Sequence, residues 1–539
     1  MYFKGQRTMM STLFSFLVLL CSGISSVQDE PPLKVRFGQQ ARSALMQSES
    51  SEASPRILLF MLENRLQNAD FPAEGPFRLN PGPTFAWQLT REQVGEAVRD
   101  GTLMLGTAES SFPKPLELVS GRYRAQLALI LDGAALGRSG EVTLNGEVFE
   151  LELEPDRTDS LTMTLNGSIP PPASGLGSNE RIDEISLPSP LLTEDREGED
   201  DWKAGEHKAF VVLPEGYEQL NAPRRRWPVI YMVPGSKAAI EHARSIAKLL
   251  HEPIMEDLIP QAIWVVLDPK SVFGHHFFID SELHGRRSKA LAEELIPWLD
   301  VRYRTVPDSN ARLLLGEEQG GRAALTLLLD HPKVFSKAWA LSPDAVAFEA
   351  LGCLDLARDE NAYAEPDDSQ RPAMRTVLSD DREIVHLDVE DEVMLCRTLR
   401  SNGMSGQTWD ELRAAFGSVQ VTKNLPRWPF DPETGRIRPT EIMHWMSLDL
   451  AARIRDQPRL ARRLTEDARI FTGTYDERYR NLGVRFLQTT IELALEENDR
   501  TEDWIVEIER ADSQSANAIS RLPVHDEIIR VLRSSELHD

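Results

Sequence analysis

Cysteine is nearly absent, with three in 539 residues, at Cys21, Cys353 and Cys396. A disulfide framework is excluded, and two free thiols at Cys353 and Cys396 are the expected state. Basic residues are short against acidic ones, 60 Lys and Arg against 85 Asp and Glu, a formal charge of −25. Phosphates repel such a surface, so neither nucleic acid nor an anionic membrane is an expected partner. Long apolar runs are missing too. Only "TLFSFLVLL", behind Lys4 and Arg7 and ahead of "CSGISSVQ", stands out. It is far shorter than the ~20 residues a bilayer span needs, and it fits a Sec-type signal peptide over residues 1–26. Cys21 raises a lipid-anchor reading, which Leu20 before it disfavours. The expected location is therefore secreted or periplasmic, with no membrane span in the mature chain. No internal repeat is present.

What is there divides by rhythm. Residues 27–55 are polar and aperiodic, and read as a flexible lead-in. Residues 56–168 hold short β-forming segments such as "RILLFML", "TFAWQLT", "GRYRAQLALILD" and "FELELEP", separated by turns. Several alternate apolar and polar residues, which predicts an all-β sandwich-like domain. No aromatic stripe marks it as a polymer platform. Residues 169–201 are proline-rich and then acidic, the composition of a linker. From residue 202 to 539 continuous apolar runs ("PVIYMVP", "AIWVVLD", "RLLLG", "KAWALSP", "ARIFTG", "WIVEIE") alternate with helical stretches. Strands buried on both faces, alternating with helices, predict a doubly wound, mostly parallel α/β sheet. Residues 345–460 break the rhythm and read as an irregular, cap-like insertion.

In an open parallel sheet the chemistry sits at the carboxyl ends of the strands. "RLLLGEEQGGRAAL" is a strand, a glycine-flanked turn and a helix. This is the layout of a nucleophile elbow, G-x-S-x-G. Gly316 and Gly320 keep the flanks and Glu318 holds the serine's place. A carboxylate is a weak nucleophile towards an ester carbonyl. Glu318 is therefore either a polar residue on a relic turn or a nucleophile or base of altered chemistry. After "IFTG" comes Asp476, either the acid of a triad or the cap of the next helix. After "WIVEIE" a triad needs a histidine, and the chain offers Asp512 and Ser513. His525 lies farther on, in "LPVHDEIIRVL". After "VIYMV" stand Pro234, Gly235 and Ser236. With Gln319 beside the elbow, Gly235 and Ser236 are the oxyanion-hole candidates, whereas Pro234 has no N–H to give. "FGHHFFIDSELHG" brings His275 and His276, and "HWM" brings His444, as residues that could line a cleft. Their spacing matches no zinc motif such as H-E-x-x-H, so no metal and no cofactor is expected.

These blocks, in order, resemble the bacterial putative-esterase family, the esterase D and enterochelin-esterase-like branch of the α/β-hydrolases. The matching stretches are "LPEGYE", "PVIYMVPG", "FGHHFFIDSELHG", "EELIPWLDVRYR", "GEEQGGRAAL", "HPKVFSKAWALSPD", "WPFDPETGRI" and "FTGTYDERYRNLGVRFLQ". "FRLNPGPTFAW" is similar to the β-rich domain that precedes the catalytic one in secreted members. The resemblance implies an α/β-hydrolase fold and carboxylic-ester hydrolysis. It places the nucleophile at Glu318, the acid at Asp476 and the base at Ser513. Two of three triad members are then replaced, which implies a pseudo-esterase that binds or scaffolds a small-molecule or polymer ligand. The alternative is an active hydrolase built on Glu318.

Overall fold

The computed structural model describes residues 33–48, 54–63, 81–132, 141–154, 161–167, 181–193, 205–217, 225–235, 238–252, 255, 257–271, 273–399, 405, 407–420, 425–496 and 503–534. The signal-peptide segment and Ser236 lie outside the described residues.

The strand-rich region begins earlier than the composition indicates. Residues 33–48, read as part of a flexible lead-in, form strand β1 (Leu33–Phe37) and helix α1 (Gln39–Ser48). Leu33, Val35, Ala44 and Leu45 are buried in the core of the region, which is why the segment is ordered. The other strands are β2 (Arg56–Glu63), β3 (Thr84–Gln88), β4 (Thr102–Leu105), β5 (Ser110–Phe112), β6 (Gly121–Asp132), β7 (Glu141–Leu153) and β8 (Leu161–Leu165). They make a three-stranded sheet, β4-β1-β8, and an antiparallel five-stranded sheet, β5-β3-β2-β6-β7. A second helix, α2 (Arg91–Asp100), starts on a capping box between Thr90 and Gln93 and ends at Gly101 in the left-handed region. One core joins both sheets and both helices.

The large sheet has eight strands. In chain order they are β9 (Ile182–Pro188), β10 (Glu206–Val212), β11 (Val229–Val233), β12 (Ile263–Leu267), β13 (Arg312–Glu317), β14 (Lys337–Leu341), β17 (Ala468–Gly473) and β18 (Ile505–Ile508). Strands β15 (Pro372–Val377) and β16 (Glu383–Asp388) form a separate hairpin. The sheet order is β18-β17-β14-β13-β11-β12-β10-β9, parallel from β12 through β11 to β18 and antiparallel where β10 meets β9 and β12. Strand β9 falls inside the stretch read as linker. Its exposed acidic residues suit an edge strand, and pairing with β10 holds it. Helices cover both faces, among them α3 (Ala239–Leu250) on one and α4 (Gln319–Asp330) on the other. Val229, Tyr231 and Val233 enter one core, while Ile230 and Met232 enter the other. An all-apolar strand is the consequence. This is the α/β-hydrolase fold.

The insertion is not irregular. After the β15–β16 hairpin come α5 (Val389–Leu399), α6 (Thr408–Phe416) and α7 (Pro439–Leu448). Phe277, Phe348, Trp409, Phe416, Phe430 and Trp445 give them a core of their own. The next two helices (Leu450–Asp456 and Arg459–Asp467) already pack on the large sheet. The strand-rich region docks on this insertion. Leu58, Phe60 and Phe112 meet Met374, Leu387 and Leu395, and the Arg56 guanidinium donates to the carbonyls of Leu399 and Thr398 at the end of α5. That contact explains why "RILLFML" fails to alternate, since both faces of β2 are covered. Cys396 is buried, Cys353 partly so, and both are free thiols. No helix among the described residues is long and apolar enough to cross a membrane.

Candidate active site

Strand β13 ends at Glu317, and helix α4 (Gln319–Asp330) follows Glu318 at once. Glu318 has φ 53° and ψ −118°, a strained conformation for a residue with a Cβ. The turn is tight enough to demand glycine on both flanks. A methyl group on Gly316 would lie 2.0 Å from the Gly320 carbonyl oxygen, and one on Gly320 would lie 2.0 Å from that of Val233. The backbone is pinned by Glu318 N–H to the Leu341 carbonyl (2.8 Å) and by Asp344 N–H to the Glu318 carbonyl (3.0 Å). The elbow geometry is thus intact around a glutamate.

The Glu318 side chain lies against Gly235. A methyl group on Gly235 would sit 2.7 Å from both Cβ and Oε2 of Glu318. The Glu318 carboxylate thus rests on the loop that follows β11. Its neighbour Glu317 engages Arg521 (3.4 Å) on the last helix, Ser513–Ser534, and His242 (4.0 Å), rather than Glu318's surroundings.

Asp476 is fully buried, and its carboxylate accepts from the N–H groups of Arg478 (2.9 Å) and Arg480 (3.0 Å). It caps the turn into the helix Arg480–Ala494 and faces the Arg480 guanidinium at 3.4 Å. Of the two readings of Asp476, its contacts are those of the cap, and a guanidinium faces its carboxylate. Burial raises the Asp476 carboxyl. Burial also opposes ionisation of Glu477, but Arg480 and two bonds from Ser513 hold that carboxyl below the ordinary range. Ser513 is fully buried and commits both its groups to Glu477, the hydroxyl at 2.6 Å and the N–H at 2.9 Å. Burial alone would weaken the charge on Arg480, yet Asp476, Glu318, Glu477 and Asp344 together keep it firmly protonated. The insertion covers this loop. Arg375 of β15 donates to the carbonyls of Asp476 (3.0 Å) and Thr474 (3.4 Å), and Tyr479 bonds to Glu383 of β16.

Glu411 on α6 was not legible as a site residue. Its carboxylate accepts from the His275 N–H (3.1 Å) and from the Gln319 amide (3.3 Å), so Gln319 is tied to the insertion. Burial pushes the Glu411 carboxyl up to about 8.

The histidines divide. His275 is buried near Glu318, but both ring nitrogens are committed. Nδ1 accepts from the Phe277 N–H (2.9 Å), so Nε2 carries the proton it donates to the Pro234 carbonyl (3.0 Å). Burial lowers it to about 4. His276 accepts from the Phe278 N–H (3.2 Å) and meets the His284 ring edge-on. His444 sits partly buried on α7. His525 meets the Trp264 ring edge-on, centroids 5.9 Å apart, in the core layer of the last helix, and not the elbow. Among the described residues no group of three or more His, Cys, Asp or Glu side chains could hold a metal ion.

With this geometry, the sheet and elbow define the α/β-hydrolase fold. The family described as Putative esterase matches residues 204–388, which span the Gly235 loop, the elbow and the start of the insertion. No curated protein matches the chain. Solved structures similar to it include a CE1 ferulic acid esterase from Anaeromyces mucronatus with ferulic acid (12% identity, 66% of this chain and 97% of that one, TM-score 0.33). An S-formylglutathione hydrolase from Agrobacterium tumefaciens is comparable (13%, 65% and 94%, TM-score 0.35). An IroE-like serine hydrolase from Shewanella oneidensis matches a shorter part (21%, 30% and 51%, TM-score 0.23). At these values the likenesses carry no functional weight.

Proposed function

We propose that this chain is an esterase-fold protein that has lost serine-esterase chemistry and serves as a binding or scaffolding pseudo-esterase. The observation that carries the reading is the Ser513–Glu477 pair. Where an esterase needs a base that exchanges a proton, this chain has a hydroxyl locked to a carboxylate. Three further features support it. Glu318 rests against Gly235, in the loop that would receive an oxyanion. Arg480 neutralises the acid position and cannot act as a base near neutral pH. The imidazole nearest in character to a relocated base, His275, has no free lone pair. The same observation weighs against a hydrolase in which Glu318 attacks and a histidine activates water.

The test is turnover of short-chain p-nitrophenyl esters by the purified chain. The expected rate equals that of Glu318→Ala. Robust turnover that disappears in Glu318→Ala would overturn the reading and restore the active-hydrolase alternative. We also read the chain as exported, on the strength of its first 26 residues. N-terminal sequencing of protein recovered outside the cytoplasm checks this, and an intact Met1 there would count against it.

A further inference from the structure

We infer that the insertion carries an anion-binding cleft, separate from the elbow, for a ligand bearing several carboxylate or phosphate groups. A cavity of about 1290 Å³ opens there, lined by residues from Glu360 to Glu441. None of its lining residues comes from the elbow, the Gly235 loop or the loop of Asp476. Five arginines face it, Arg397, Arg413, Arg427, Arg436 and Arg438, against four carboxylates, and no lysine does.

The carboxylates are mostly spent. Asp410 is held by Arg413 at 2.6 Å and by the Ser405 N–H at 2.9 Å. Asp431 takes Arg438 at 3.1 Å and two backbone N–H groups. Glu441 accepts from the Ser418 hydroxyl at 2.6 Å, leaving Arg427 3.8 Å away and about half exposed. Arg436 is exposed and makes no ion pair among the described residues. Arg427 and Arg436 therefore present guanidinium forks with capacity left for a ligand. A planar fork matches a carboxylate or phosphate with two parallel hydrogen bonds, which a lysine cannot do. Trp428, whose ring packs 4.3 Å from the Arg413 guanidinium, adds an aromatic surface at the same wall.

The setting sharpens the inference. A chain of charge −25 repels anions over its surface as a whole, so affinity for one has to come from a local concentration of positive charge. The volume exceeds that of a typical drug-sized pocket, which favours an extended ligand over a single small acid. Helix α6 also links the two sites. Asp410 and Arg413 line the cleft, while Glu411 between them bonds the elbow's Gln319.

The experiment is isothermal titration of the full chain, at low and at physiological salt, with two probes: tetragalacturonate for carboxylates and inorganic tripolyphosphate for phosphates. Binding by either is expected, and the tighter probe identifies the source chemistry. Arg427→Ala/Arg436→Ala should weaken it at least tenfold. Both side chains are exposed, so the melting temperature should not move. Arg427→Lys/Arg436→Lys keeps the charge and should recover only part of the affinity. Absence of binding by both probes at low salt overturns the proposal. So does binding that the double alanine variant leaves unchanged, or that the lysine variant restores in full.

Discussion

Ser513 donates twice to one carboxylate, that of Glu477, from its hydroxyl at 2.6 Å and from its N–H at 2.9 Å. Ser513 is thus a structural partner of the residue beside Asp476. Ser513→Ala removes the side-chain bond and keeps the backbone one. A hydrogen bond to a charged group contributes about 1.5–3 kcal/mol. The expected loss is at the lower end of that range, read by urea denaturation, with no change in ester turnover. A variant that altered turnover would give Ser513 a chemical role.

Restoring one triad member should achieve nothing, because nucleophile, base and acid act as a unit. Glu318→Ser and Ser513→His are each expected to leave p-nitrophenyl acetate hydrolysis at background. The pair together should raise it, since Glu318 no longer rests on Gly235 and the oxyanion loop opens. Activity in Glu318→Ser alone would locate a base elsewhere.

How much of this was readable beforehand differs by element. The elbow was legible because its glycines are forced by contacts of 2.0 Å and its strand by burial on both faces. The core strands were legible for the same reason. Residues 33–48 were not, because a five-residue strand and a polar helix carry too little pattern to stand out from coil. Arg480 follows Asp476 by four residues, yet nothing in "YDERYR" says which arginine turns inward. Glu411 lies 93 positions from Glu318, and only the packing of the insertion brings it to the elbow. The missed residues are those placed by tertiary contacts between distant segments.

Gly235 and Glu318 should be energetically coupled. Gly235→Ala puts its methyl group 2.7 Å from the Glu318 side chain and 2.9 Å from the Glu317 carbonyl oxygen. Overpacking of this kind costs about 1–3 kcal/mol. In a Glu318→Ala background the first contact is relaxed and the second stays. Gly235→Ala should therefore cost less there, by about 0.5–2 kcal/mol, in a double-mutant cycle on unfolding free energy. Strict additivity would show that the two side chains do not meet.

Arg480 balances Asp476, Glu477 and Asp344, at 3.4, 3.3 and 3.6 Å. Arg480→Met leaves buried carboxylates uncompensated, a loss of about 3–5 kcal/mol near neutral pH. Without the cation both Asp476 and Glu477 titrate higher when folded than when unfolded. Stability then rises as pH falls, because the folded state holds more protons. The gap to the parent protein should be widest near pH 7 and should narrow towards pH 4.5. A gap independent of pH would assign the loss to packing alone.

Glu411 sets the last expectation. Its carboxyl is pushed up to about 8 by burial, while an unfolded glutamate titrates near its ordinary value of 4.5. Between those limits the folded state holds the extra proton, so this group's contribution is complete below about pH 4.5 and is lost as pH rises through 8. The proton has a use. Gln319 Oε1 is buried and makes no hydrogen bond among the described residues, and a turn of that amide lets a neutral Glu411 donate to it. Glu411→Gln keeps a donor and an acceptor in the same place and removes the charge. Part of the Glu411 side chain reaches solvent, which limits the effect to about 1–3 kcal/mol. The variant should match the parent at pH 5, exceed its stability at pH 8.5, and show a flatter pH profile between. Equal slopes for the two proteins would mean that Glu411 ionises normally and that the insertion is held to the elbow by other contacts.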